Sequence, residues 1–117
     1  MKTQFIAGPV KKFESQLNEL LAESQLALAV SSVTFSGGQL AAVVAETPVS
    51  PSVAGSAIQV KVVSGKIAKV NATLAEMQAE NPCWHPLAVF PLAQEKPTEA
   101  AEPKGANIVA VLKLVQP

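Results

Sequence analysis

The stretch FIAGPVKKFESQLNELLAES, residues 5–24, aligns without a gap on VVSGKIAKVNATLAEMQAEN, residues 62–81, after a shift of 57 positions. Gly8, Leu17 and Glu19 recur as Gly65, Leu74 and Glu76. The apolar positions of the two stretches also correspond, and they follow the 3, 4, 3 spacing of one helical face. Each stretch therefore predicts a strand, a glycine and then an amphipathic helix.

The residues that follow each helix complete a larger unit. After the first helix, 26–35 predicts a strand with a bend near Ser31 and Ser32, and Ser36-Gly37-Gly38 predicts a hairpin turn into a return strand over 40–46. After the second helix, 87–92 and 108–115 predict the corresponding pair of strands. The sequence thus predicts two successive β-α-β-β units.

This repetition predicts one α+β domain over 1–117. Its parts are a first unit over 1–46, a linker over 47–56 rich in proline and serine, and a second unit over 57–117 with a long hairpin loop over 94–107. The expected architecture is a tandem pseudo-twofold duplication with two helices on one face of a mixed sheet of about six strands. Two independent domains are disfavoured because about 50 residues form only a marginal core.

Composition excludes several kinds of partner. Nine lysines offset nine glutamates, and the sequence contains no Arg, Asp or Tyr. Without guanidinium groups or a concentrated positive patch, nucleic-acid binding is disfavoured. A single cysteine forms no internal disulfide and favours a reducing compartment, so we expect a cytoplasmic protein. The apolar runs are far shorter than the about 20 residues that cross a bilayer, so we expect no membrane association.

The segment Cys83-Trp84-His85 is the most conspicuous place for chemistry, because it holds the single Cys, Trp and His of the chain. An enzyme or redox role would use Cys83 as nucleophile and His85 as base, but no Asp exists to orient the imidazole. A metal site would have two of four ligands. The favoured interpretation is a rigid connection between Pro82 and Pro86 in which the indole fills a core or an interface. No catalytic residue, metal or cofactor is predicted.

The element order resembles that of the dodecins, small β-α-β-β proteins that assemble through their sheets. Dodecins stack a flavin on a tryptophan of the strand after the helix, and Trp84 lies at the start of the equivalent segment. The first unit has Ala27 at the matching position, so one of the two related sites lacks an aromatic residue. The resemblance implies an alternative function, the binding of a small aromatic ligand on the sheet face at Trp84, with Cys83 and His85 beside it.

The last predicted strand is apolar on both sides, which requires cover on both faces. Because two helices on one face leave the other open, we expect self-association or a protein partner through Val109, Val111 and Val115. The sequence therefore favours a non-enzymatic structural or interaction module that acts as a homo-oligomer or accessory subunit. The ligand-binding alternative and an enzyme using Cys83 and His85 remain open.

Overall fold

The structure, a computed structural model, describes residues 3–92 and 107–117, which form two α-helices and six β-strands. In chain order they are β1 (Thr3–Pro9), α1 (Val10–Glu23), β2 (Leu28–Ser36), β3 (Gln39–Glu46), β4 (Ala57–Lys66), α2 (Ile67–Glu80), β5 (Trp84–Pro91) and β6 (Asn107–Val115). The α+β class is confirmed, and both units have the order β-α-β-β. Except for Asn107, the predicted loop over 94–107 lies outside the described residues.

The two helices have the same length but different burial. Each has 14 residues, and their bounds differ by the same 57 positions that relate the two sequences. The stripe of α1 is buried at Phe13, Leu17 and Leu21. On α2 the corresponding stripe is buried at Val70, while Leu74 is half-buried. The second helix thus keeps much of its surface in contact with solvent.

The strands differ from the predicted single sheet. In the described chain they form two three-stranded antiparallel sheets, the first in the order β1-β3-β2 and the second in the order β4-β6-β5. Each unit closes its own sheet, because its last strand pairs with both of its other strands. The first and second strands of a unit are therefore parallel to each other, as the crossover rule predicts. The two sheets meet where β2 contacts β5 and the rings of Phe35 and Phe90 stack, with centroids 6.2 Å apart.

The helices also differ from the prediction, because they do not share a sheet face. Helix α1 packs against β1 and β3 of its own sheet and against β4 of the other sheet. The main core accordingly joins Phe13 and Leu40 of the first unit to Val60 and Val111 of the second. Helix α2 packs over β4 and β6 on the opposite face of the second sheet, around Val70 and Leu112. This packing departs from a pseudo-twofold relation, in which α2 would lie against β1 as α1 lies against β4.

The hairpin turn of the first unit and the bend in β2 lie where the sequence predicts them. The turn between β2 and β3 contains Gly37 at φ 59° and Gly38 at φ 79°, which is the left-handed backbone of a tight hairpin. The bend in β2 is a bulge between Ser31 and Thr34, with Ser32 at φ 52°. The linker is attached to both sheets, since Ala27 N donates to Val49 O and Gly55 N donates to Gln116 O. No helix in the described residues combines the length and the apolar character that crossing a bilayer requires.

Candidate functional site

The Cys83-Trp84-His85 segment is fixed by its backbone. The side-chain oxygen of Asn81, which follows α2, accepts a hydrogen bond from Cys83 N at 2.9 Å. The carbonyl of Asn81 accepts from Trp84 N at 3.4 Å, so the chain turns at once from the helix into β5. Cys83 O then accepts from Val115 N at 3.2 Å. The segment is a rigid connection between helix and sheet.

Trp84 belongs to the core under α2. Its side chain is 8 % exposed and packs in one cluster with Val70, Ala110 and Leu112. The amide nitrogen of Gln78 donates to Trp84 O at 3.1 Å and so joins the helix to the strand. The three described clefts are lined by other residues. In this position the indole fills the space between α2 and the second sheet.

Cys83 and His85 are not brought together as a catalytic pair. Cys83 is half-buried, whereas His85 is exposed and pairs across the sheet with Lys113. Among residues 3–92 and 107–117, no hydrogen bond joins their side chains and no group of three or more His, Cys or Glu side chains is placed to hold a metal ion. The arrangement offers neither a base positioned on the thiol nor a ligand set.

The valines predicted at an interface lie at different depths. Val109 is 2 % exposed and Val111 is 0 % exposed, and Val111 belongs to the main core. Val115 is half-buried at the end of β6. The predicted reason for an interface there was a sheet face without cover, but the first unit covers this face within the chain. Val109 and Val111 therefore need no second copy to be buried.

The contact between α1 and β4 is a seam of polar side chains against a strand edge. Asn18 Nδ2 donates to Val60 O at 3.0 Å, and Asn18 Oδ1 accepts from Val60 N at 2.7 Å. One turn earlier, Glu14 Oε1 accepts from Val62 N at 3.2 Å. Because β4 is an edge strand of its sheet, these side chains take the place of a neighbouring strand. The sequence does not predict this role for Asn18 and Glu14, because both residues lie on the polar side of the helical pattern.

The outer face of the first sheet carries the exposed side chains of Phe5 and Ala7 and the half-buried side chains of Ala41, Val43 and Ala45. The alternate residues Ile6, Ala42 and Val44 point into the core, so the outer set faces away from it. Phe5 is 83 % exposed. An exposed aromatic ring on an edge strand is a candidate for an interaction surface, and Gln16, Glu19 and Glu23 of α1 line the cleft beside it. Sequence alternation identifies these residues but does not say which side of the strand is covered.

A cleft of about 380 Å³ lies between the two sheets, beside the linker. Its walls are mostly apolar, with Leu28 and Val30 from β2, Val49 and Val53 from the linker, and Leu87 from β5. Lys113 also lines the cleft and carries a positive charge. The volume is within the usual range for small-molecule sites.

Comparison with known proteins adds no assignment, because the chain matches no family model, no curated protein sequence and no solved structure. The functional conclusion therefore rests on the surfaces described above.

Proposed function

We propose that this protein is a non-enzymatic interaction module that associates with itself through the outer face of its first sheet. The observation that carries the proposal is Phe5, whose side chain is 83 % exposed on the sheet face that it shares with Ala7 and Val43. The arrangement of Cys83 and His85 gives no support to the enzyme alternative.

The second sheet has a face equivalent to this outer face, and that face is covered by another unit. In the two units, Phe5 pairs with Val43 and Val62 pairs with Val111, which are equivalent positions of equivalent strands. Yet Val111 is 0 % exposed, because the first unit lies against that face, whereas Phe5 is 83 % exposed. We infer that the units are successive repeats and that the outer face of the first sheet lacks, within the described residues, the neighbouring unit that covers the equivalent face of the second sheet. A second copy of the chain supplies one.

Burial of Phe5 would supply one part of the free energy of association. Burying one phenylalanine side chain stabilises a complex by about 2 kcal/mol, and the surrounding alanines and Val43 add smaller amounts. A lysine in place of Phe5 would leave an ammonium group buried without a partner, which costs several kcal/mol. In the isolated chain the same substitution changes little, since the position is exposed.

Molar mass in solution, measured by light scattering on the full chain at micromolar concentration, tests the proposal. We expect the wild type to have a mass of at least two chains and Phe5→Lys to have the mass of one, with an unchanged unfolding free energy. The matched control is Val53→Lys, at a linker residue that is 46 % exposed, which should leave the assembly intact. A monomeric wild type would contradict the proposal.

The cleft favours a second candidate function, the binding of a small amphipathic anion. Apolar walls beside the charge of Lys113 suit an unbranched monocarboxylate of about ten carbons, with the carboxylate at the lysine. Trp84 takes no part, in contrast to the ligand site implied by the sequence.

Calorimetry with decanoate and decanol tests this candidate. We expect decanoate to bind more tightly than decanol and Lys113→Met to remove the difference. Lys61→Met serves as the control, because Lys61 is exposed on the opposite face of β4. Equal binding of the acid and the alcohol to the wild type would reject the candidate.

A further inference from the structure

We infer that the element of the second copy that contacts the edge of β1, beside the outer face, is its helix α2, set along β1 as α1 is set along β4 within one chain. This inference rests on the proposed self-association and names the surface of the partner.

The first step is that the relation between the units is directional. Helix α1 of the first unit lies against β4, the first strand of the second unit. Helix α2 packs chiefly on its own sheet, over β4 and β6. The first unit thus packs its helix against the second unit, and the described chain makes this contact once.

The second step is that the two surfaces that would form this contact, one on β1 and one on α2, are exposed in the described structure. At one end is β1, which is an edge strand and carries Phe5. At the other end is α2, whose residues Asn71 and Ala75 are exposed. These two residues correspond to Glu14 and Asn18, the side chains of α1 that contact β4. The two ends are therefore the two halves of a contact that the chain already makes internally.

The third step is a direct comparison of the two seams. In the chain, Glu14 accepts from Val62 N, so in the assembly Asn71 of the second copy accepts from Phe5 N of the first. Asn18 binds both backbone groups of Val60, whereas Ala75 has no group to bind the corresponding groups of Thr3. The contact between copies is thus a weaker version of the contact within the chain. A head-to-tail contact closes into a ring if the rotation between copies allows it, and two copies make the smallest ring.

Restoring the missing amide gives a gain-of-function test. Ala75→Asn should lower the dissociation constant of the assembly by about tenfold, because two hydrogen bonds to backbone groups are added. The control is Ala79→Asn, one turn further along the exposed side of α2, which carries the same cost in helix propensity but has no counterpart in the seam. Equal effects of the two substitutions would overturn the inference.

Disulfide trapping tests the direction of the contact. In a Cys83→Ser background, Thr3→Cys and Ala75→Cys are prepared as separate chains and oxidised alone and mixed. We expect a covalent dimer in the mixture and none with either chain alone. A dimer of Thr3→Cys alone would show that two β1 edges meet, which overturns the assignment to α2 but leaves self-association intact. A wild-type chain of monomeric mass would instead reject the proposed function itself.

Discussion

Asn18 is the residue that joins the two units most directly. It donates to and accepts from the backbone of Val60, whose side chain is 0 % exposed. Removing the amide leaves two backbone groups of an edge strand without partners, in a place that water reaches poorly.

We expect Asn18→Ala to lower the free energy of unfolding by about 1–3 kcal/mol, the cost of leaving buried polar groups unpaired. Gln16→Ala, at an exposed position of the same helix, is the control and should change stability by less than about 0.5 kcal/mol. Urea denaturation measures both. Equal stabilities of the two variants would mean that the seam is held by apolar packing alone.

Trp84 poses a different question at the same scale, because its indole is buried while its neighbour His85 is exposed. We expect Trp84→Ala to cost about 3–5 kcal/mol, as for other buried aromatic side chains, and His85→Ala to be nearly neutral. Cys83→Ser should also be mild. Thermal unfolding followed by circular dichroism distinguishes the three. If Trp84→Ala were neutral, the indole would not be filling the core under α2.

The elements could be predicted from the sequence more fully than their assembly. The apolar stripe of Phe13 and Leu17 and the glycines of the first hairpin are local signals, and they place α1 and the turn correctly. The division into two sheets could not be predicted, because alternation in a strand gives its two faces but not its neighbours. For the same reason, the sequence predicts that the valines of β6 need a partner chain. In the structure the first unit covers Val111.

The candidate surface shows the same limit. Phe5 has the pattern of a strand residue, and its equivalent Val62 is half-buried in the main core. Only the three-dimensional packing reveals that one is covered and the other exposed. Asn18 and Glu14 gave no signal in the sequence, since polar residues on a helix usually face solvent.

The hairpin between β2 and β3 supports a prediction at the scale of the element. Gly38 has φ 79° and space for a side chain around it, so Gly38→Ala should cost roughly 1–2 kcal/mol through backbone strain alone. Gly8→Ala is the matched control. Its added Cβ would meet Lys12 Cβ at 3.6 Å, an ordinary contact, and its backbone is not in the left-handed region. We expect the control to be neutral or slightly stabilising in urea denaturation. If Gly8→Ala lowered the stability more than Gly38→Ala, the left-handed backbone at Gly38 would be contradicted.

At the scale of the molecule, the two units depend on one core. Phe13 and Leu17 of the first unit and Val60 and Val111 of the second are each 0 % exposed in the same cluster. Neither sheet alone keeps these side chains from water, although each closes its own hydrogen bonds. Because both units contribute to this cluster, we expect the chain to unfold as one cooperative unit.

Dividing the chain tests this dependence. We expect the fragments 1–46 and 57–117 to give poorly dispersed amide spectra when separate, because each loses the partner that covers Val60 or Phe13 and is too small to compensate. Mixed in equal amounts, they should recover the dispersed spectrum of the whole chain, since the seam and the main core form between them. The unfragmented chain at the same concentration is the reference spectrum. If 57–117 alone gave a dispersed spectrum and a cooperative thermal transition, the second unit would be an independent domain, and burial of Val111 by the first unit would not be needed for its folding.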